Sequence, residues 1–503
     1  MKIEYDRLDE SFFKRCSGIL LHISSLPSPY GIGTLGEKAY DFVDFLELSG
    51  QRLWQILPIN PTGFGDSPYQ SFSLYAGNPY LIDLEKLIEL GLLDRSFVES
   101  FDLGNDIENV DYYLMYKNKL SILKTAYEKN IAKKIVDIDR FLMLNSHWAI
   151  DYAEFMALKN KLNGAARSSW PIEYKRREKN QMDYFRKCYE FEINFHIFMQ
   201  AVFYEQYFKL KEYANSKGIK IVGDIPIYAA DDSCDIWISP KYFQLDEDLN
   251  KKFVGGCPPD AFSKTGQLWG NPTYDWKNLE ADNFDWWIRR LRHSGFLYDI
   301  IRIDHFRGFE SFWQVANSEE TAENGEWIKA PGYELFEKIE NELPHLEIIA
   351  EDLGFMTKEV IDFRKHTGYP GMKVLQFAWD RNSESDILPH NIDYNWTVYT
   401  GTHDNDTTLG FFESAPKSVR DYAIDYLKLT KDEGYTWGFI RACWATNAKY
   451  AIAPMQDFLV LDSSARMNEP STLGNWTWRA KEEAFTDKLA KKIKDMTILY
   501  SRY

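Results

Sequence analysis

The chain has 503 residues, 45% of them hydrophobic and 16% aromatic, which suits one large domain with insertions and exceeds what one small domain needs. Its net charge is −17, from 59 basic and 76 acidic residues, so phosphate backbones and anionic membranes are repelled while a neutral ligand is compatible. Five scattered cysteines form no C-x-x-C pair, which gives no zinc signature and fits a reducing compartment.

The N-terminal stretch MKIEYDRLDESFFKRCSG carries charges throughout and no apolar segment, unlike a secretory signal. No uncharged apolar run nears the roughly 18 residues of a membrane span. The expectation is a soluble cytoplasmic protein that contacts neither membrane nor nucleic acid.

Short apolar runs recur along the chain, most followed by a polar or Gly/Pro-containing loop. They lie at 19–22 (ILLH), 53–57 (LWQIL), 220–222 (KIV), 300–303 (IIRI), 347–350 (EIIA), 372–377 (MKVLQF), 397–399 (TVY) and 458–461 (FLVL). Runs of this length, rich in Ile, Val and Leu, suit strands buried on both faces. Helical spacing of apolar residues predicts helices between them at 37–49, 194–217 and 418–428, the first two followed by Gly50 and Gly218 as stop signals. Eight strands alternating with helices predict an α/β protein of (β/α)₈ TIM-barrel type, in one domain over 1–503; six strands are clear, the first and last weaker.

Two intervals are too long for one βα unit. Residues 62–215, between the second and third strands, predict an inserted, mainly helical subdomain with helices at 111–130, 137–162 and 182–217. Within it, 165–180 with its KRREK run reads as an exposed connection. Residues 228–282, after the third strand, are rich in Asp, Gly, Pro and aromatics and read as an ordered insertion over the cleft.

In a barrel, functional groups gather just after the C-terminal ends of strands. Three acidic residues stand there: Asp304 in RIDHFRG, Glu351 in AEDLG and Asp404 in THDND, 47 and 53 residues apart. Three carboxylates converging on one mouth repel, which raises at least one pKa. That is what glycosidic bond chemistry requires: one ionised nucleophile and one protonated acid. Arg302, two positions from Asp304 and on the same side of its strand, is expected to keep Asp304 ionised. Glu351 has no basic residue close in sequence and suits the acid/base role. His403 with Asp404 suits hydrogen bonds to sugar hydroxyls. A structural Arg302–Asp304 ion pair also fits, as does a metal site built from Asp304, Glu351, Asp404, His305 and His403, although no H-E-x-x-H or D-x-D-x-D-G motif accompanies it.

RIDHFRGFESFW, AEDLG and TGTHDNDT together resemble the amylomaltases, or 4-α-glucanotransferases, of glycoside hydrolase family 77 in the α-amylase clan. HISSLPSPYGIGTLG, LWQILPINPTG, DSPYQSFSLYAGNPYLIDL, VGDIPIYAADDSCDIW, PPDAFSKTGQLWGNPTYDW and NEPSTLGNWTWR follow the same family's pattern in order, so the resemblance covers nearly the whole chain. It implies that Asp304 is the nucleophile, Glu351 the acid/base and Asp404 the transition-state stabiliser. It further implies that Arg302, His305, His403 and Asp224 surround the sugar at the cleavage point, that Tyr69 stacks on it, and that Gln267, Trp269, Asp380 and Asn475 bind substrate. The implied activity is transfer of an α-1,4-glucan segment to the 4-hydroxyl of glucose or another glucan, with maltooligosaccharides as partners and no cofactor or metal. A net α-1,4-glucan hydrolase and a non-catalytic glucan-binding protein are the rival readings. Cys257 and Ala261, in the CPPDAFS loop, depart from many relatives and leave chain-length preference open.

Overall fold

A run of apolar residues buried on both faces must pair with like runs on each side, and here eight of them do so in parallel. The computed structural model describes residues 14–259, 263–354, 356–381 and 385–503, all but Phe64 with side chains. Ala261 therefore lies outside the described residues. Among the described residues the strands are β1 (Cys16–Leu20), β2 (Leu53–Gln55), β3 (Lys220–Ile225), β4 (Phe253–Cys257), β5 (Gln267–Pro272), β6 (Ile300–Ile303), β7 (Ser311–Ala316), β8 (Gly325–Lys329), β9 (Ile348–Ala350), β10 (Gly371–Val374), β11 (Trp396–Tyr399) and β12 (Tyr450–Pro454). The large sheet runs β10-β11-β12-β1-β2-β3-β6-β9, which is chain order wrapped once around. The two ends approach where the Ala350 N–H donates to the Pro370 carbonyl at 2.9 Å, so the sheet is a nearly closed TIM barrel.

The remaining strands form an antiparallel sheet ordered β5-β4-β7-β8. It carries Gln267 and Trp269 on β5, and its strand β7 follows directly on the β6 loop. Sequence periodicity did not indicate it, because it is built around a small apolar cluster of Val254 on β4, Val315 on β7 and Ala322 in the β7–β8 loop.

The eighth barrel strand is β12, not the run at 458–461. FLVL falls in the helix Met455–Phe458 and the turn after it, where Val460 has φ 55°. Its apolar character serves packing: Phe458 lies 5.9 Å from Trp437 and 5.8 Å from Trp444, ring centre to ring centre. β12 is buried throughout, but its YAIAP sequence has one β-branched residue and a proline, which hid it. The run at 372–377 is strand only to Val374 and then turns through Leu375–Phe377.

Between β2 and β3 the chain is mainly helical, with helices at Leu120–Lys133, Ile138–Lys161, Lys179–Cys188 and Glu190–Ser216. The segment at 165–180 is less exposed than its charges imply. Arg167 is 1% exposed and pairs with Asp231 at 2.7 Å, and the Lys175 ammonium donates to Asn250 Oδ1 at 2.9 Å. These buried cations tie the helical segment to the loops after β3; a buried charge is tolerated only when so paired.

Candidate active site

β6 is buried along its length and still carries Arg302, 3% exposed. Such a charge inside a barrel needs anions around it. Arg302 Nη1 donates to Asp224 at the end of β3, 2.7 Å from Oδ1 and 2.6 Å from Oδ2, and lies 3.1 Å from Asp304 Oδ1. The β3–β6 register places Asp224 directly beside Arg302. After Asp304 the chain turns sharply: His305 adopts a left-handed conformation, φ 51°, and a short turn Phe306–Phe309 follows.

That turn aims the His305 backbone N–H at Glu351 Oε2, 2.6 Å away. The Leu353 N–H donates to Glu351 Oε1 at 2.8 Å. Glu351 is thus clamped by peptides from two strand ends. Asp404 follows β11; its Oδ1 accepts from Asn468 Nδ2 at 2.6 Å, and its Oδ2 lies 3.4 Å from His403 Nε2. The Tyr69 hydroxyl joins two parts of the site, 2.9 Å from Asp224 Oδ2 and 2.9 Å from His403 Nε2, and its ring stacks on the His403 ring at 5.3 Å. Because Tyr69 O–H donates to Asp224, His403 Nε2–H is the donor to Tyr69.

These groups open into a cleft of about 720 Å³. Asp304, Glu351, Asp404, His305, His403, Tyr69, Gln267, Trp269 and Asn475 all line it. Arg302 and Asp224 lie beneath its floor. Trp269 meets His305 edge-on at 4.7 Å and donates from Nε1 to Gln267 Oε1 at 3.3 Å. Asn475 spends its amide locally, with Nδ2 donating to the Glu469 and Thr472 carbonyls at 3.0 Å, so it holds the loop edge in shape. Asp380 is exposed at the end of the turn after β10 and is not part of the cleft lining.

Two residues that sequence reasoning missed belong to the site. Trp476 lines the cleft, 5.9 Å from both the Tyr69 and His403 rings. Asn468 orients Asp404. Both lie in the NEPSTLGNW stretch, where Asn475 alone had been singled out; adjacency in that stretch was the available signal.

The electrostatics correct one expectation. Arg302 does pull Asp304 down, but its closer partner is Asp224. Burial, aided by Glu351, Asp224 and Asp404, pushes Asp304 well above the usual carboxylate range. Burial also raises Glu351, against Arg302 and its two backbone donors. The nearby Glu351 charge is one of the causes that raise Asp304, so ionisation of the one carboxyl favours the protonated form of the other. Burial acts to lower Arg302, but the Asp224 and Asp304 charges outweigh it and it stays protonated. Burial lowers His403, and pushes His305 down to about 3 with help from Arg307, so both imidazoles are neutral. Among the described residues no group of three or more His, Cys, Asp or Glu is arranged to hold a metal ion. No helix among them is long and apolar enough to cross a membrane.

Comparison with known proteins shows the family and the fold. A family profile described as 4-alpha-glucanotransferase (Glyco_hydro_77) matches residues 21–485. The chain is 50% identical over 485 residues to a 4-alpha-glucanotransferase of Clostridium butyricum, covering 96% of this chain and 100% of that one. It is 46% identical over 493 residues to a 4-alpha-glucanotransferase of Streptococcus pneumoniae, covering 97% and 98%. Among solved structures, an amylomaltase from Streptococcus agalactiae in complex with acarbose is 41% identical and superposes with a TM-score of 0.95, over 97% of this chain and 100% of that one.

Proposed function

The chain belongs to the 4-alpha-glucanotransferases of glycoside hydrolase family 77 and transfers segments of α-1,4-glucan, and on that premise we propose that it does so by a retaining double displacement with Asp304 as nucleophile and Glu351 as acid/base. The observation that carries the reading is the Asp304–Glu351 pair, joined through the His305 N–H in one cleft, with burial raising both carboxyls. Such a pair supplies the two states the chemistry needs, one ionised and one protonated carboxyl.

In the first step Asp304 attacks the anomeric carbon while Glu351 gives its proton to the leaving glycosidic oxygen. The freed glucan departs and a β-linked glucosyl-enzyme remains. In the second step Glu351 takes the proton of an incoming 4-hydroxyl, which attacks the same carbon, releases Asp304 and restores the α-1,4 bond. Asp304 is the nucleophile because Arg302 contacts it directly and 31% of its side chain is open to the cleft, whereas Glu351 is 8% exposed. Asp404 faces the positive charge that develops on the ring at the transition state.

His403 and His305 hold the reacting sugar, with Asp224 fixing Arg302 and Tyr69 from beneath the floor and Tyr69 and Trp269 as flat apolar surfaces for the sugar and for the acceptor. Gln267 binds further sugars, Asn475 shapes the loop at the cleft edge, and Asp380 belongs to an outer part of the path. Residues 62–215 and 228–282 are insertions into a single catalytic domain, and residues of both line the cleft. Their walls favour a sugar acceptor over water. The substrates are maltooligosaccharides and longer α-1,4-glucans in the cytoplasm, and acarbose competes with them for this cleft. The test is incubation with maltotriose alone. Glucose plus oligosaccharides longer than three units supports transfer by this cleft; shortening without longer products makes the protein a hydrolase.

A further inference from the structure

The Arg302 guanidinium faces three carboxylates, yet one of its N–H groups turns to none of them. Its Nε is directed at the sulfur of Met372 on β10, two strands along, 3.3 Å away. Arg302 is 3% exposed and Met372 1%, so the contact is dry. A buried guanidinium N–H needs an acceptor, and leaving one unpaired is costly. A thioether is a weak acceptor, but it is neutral and polarisable. A carboxylate in its place would add another anion beside Asp224, Asp304 and Glu351, and would draw the guanidinium from the first two. The sulfur occupies the N–H without taking a share of the charge.

Met372 is itself fixed in place. Its backbone N–H donates to Asp352 Oδ1 at 2.8 Å. Asp352 follows Glu351 in the chain and pairs with Arg364 at 2.9 Å. The preceding Gly371 makes this approach feasible, because a Cβ there would sit 2.6 Å from Asp352 Oδ2. One short path therefore runs from the Glu351 strand end through Asp352 to Met372, and from its sulfur to Arg302.

We propose that Met372 is a positioning residue for the transfer reaction, its sulfur orienting the Arg302 guanidinium toward Asp224 and Asp304 without competing for its charge. This rests on Asp304 being the nucleophile. Met372→Leu keeps the volume and removes the acceptor. Met372→Gln restores a neutral acceptor at similar length. With maltotriose as substrate, Met372→Leu lowers kcat by about tenfold, the order expected for one buried hydrogen bond to a charged group, and leaves KM within about twofold. Met372→Gln returns kcat to within about threefold of wild type.

A packing role ranks the two variants the other way, because Leu fills an apolar space better than Gln. Wild-type kcat in Met372→Leu, or a kcat above that of a folded Met372→Gln, overturns the proposal. If Met372→Gln does not fold, a crystal structure of Met372→Leu decides: Arg302 displaced from Asp304 supports the proposal, and Arg302 in its present place with a low kcat overturns it. Asp304→Ala, run alongside, separates the two readings. Activity there removes the nucleophile assignment whatever Met372 does. Inactivity beside a normal Met372→Leu removes this proposal alone.

Discussion

Glu351 Oε2 accepts the backbone N–H of His305 at 2.6 Å, so the carboxyl at the end of β9 is fixed to the peptide that follows Asp304 at the end of β6. The two strands are neighbours, with Ile303 paired to Ala350. Spacing between the two reacting groups is therefore set by backbone rather than by free rotamers, the kind of rigidity that positions reactants well. The left-handed turn at His305 makes the contact, a strained conformation at a site where strain has a use.

Asp304→Ala is expected to lower kcat by at least about 10³-fold while the fold stays intact, because it removes the attacking group. Asp304→Asn adds a stability readout. Asp304 holds its proton more tightly when folded, since burial and its neighbouring carboxylates raise it. A raised carboxyl loses stability as pH climbs above the unfolded value of about 4. The Asn variant should melt about 1–2 °C above wild type at neutral pH, with the gain vanishing below about pH 4. An equal or lower Tm at neutral pH would contradict the electrostatic account.

Glu351→Gln keeps shape and removes the transferable proton. Turnover of maltotriose should fall by about 10²–10⁴-fold, the range for general acid–base catalysis. A substrate whose leaving group needs no proton, α-glucosyl fluoride, should still form the glucosyl-enzyme, visible as a mass increase on the intact protein. Failure to accumulate that species, with the protein folded, would assign Glu351 another role.

Tyr69→Phe cuts the hydroxyl that joins Asp224 to His403. Both partners are buried, so each loses a hydrogen bond it cannot replace from water. A drop in kcat of about tenfold is expected, from the loss of one hydrogen bond to a charged group. Because the ring remains, KM should change little. A large KM effect with unchanged kcat would mean that the hydroxyl serves substrate binding instead.

Acid should destabilise the protein through its buried histidines. Burial pushes His22 and His305 to about 3 and His196 and His293 to about 4, and lowers His403 as well. All five are neutral when folded and gain a proton on unfolding below about 6.5. Their contribution is therefore present above that pH and lost as pH falls. Tm should decline steadily from about pH 6.5 to 4.5, and His196→Gln, remote from the cleft, should make the decline shallower. A Tm flat across that window would show that these imidazoles are not held neutral.

Much of the candidate site is legible in the linear chain because each carboxyl follows an apolar run with the composition of a strand. Asp304 and Glu351 come within a residue of β6 and β9, and Asp404 comes five residues after β11. Barrel geometry then brings those ends together. The same logic failed at the C-terminus, where FLVL outscores YAIAP in strand-forming residues while the latter is the strand. Periodicity registers burial, and helices packed against Trp437 and Trp444 are buried too.

The sequence by itself determined the fold class, the family and the three carboxyls, because these depend on local runs and on motifs whose residues are adjacent. Tertiary structure alone decided how the charges are tuned. Arg302 has its nearest anion in Asp224, 78 residues away and on a different strand, so Asp304 receives only part of its charge and is raised by burial and by Glu351. It also decided that Met372 supplies the acceptor for Arg302 Nε from two strands along, 70 residues on. Electrostatic interaction depends on distance through space and on burial, and neither is a property of spacing along the chain.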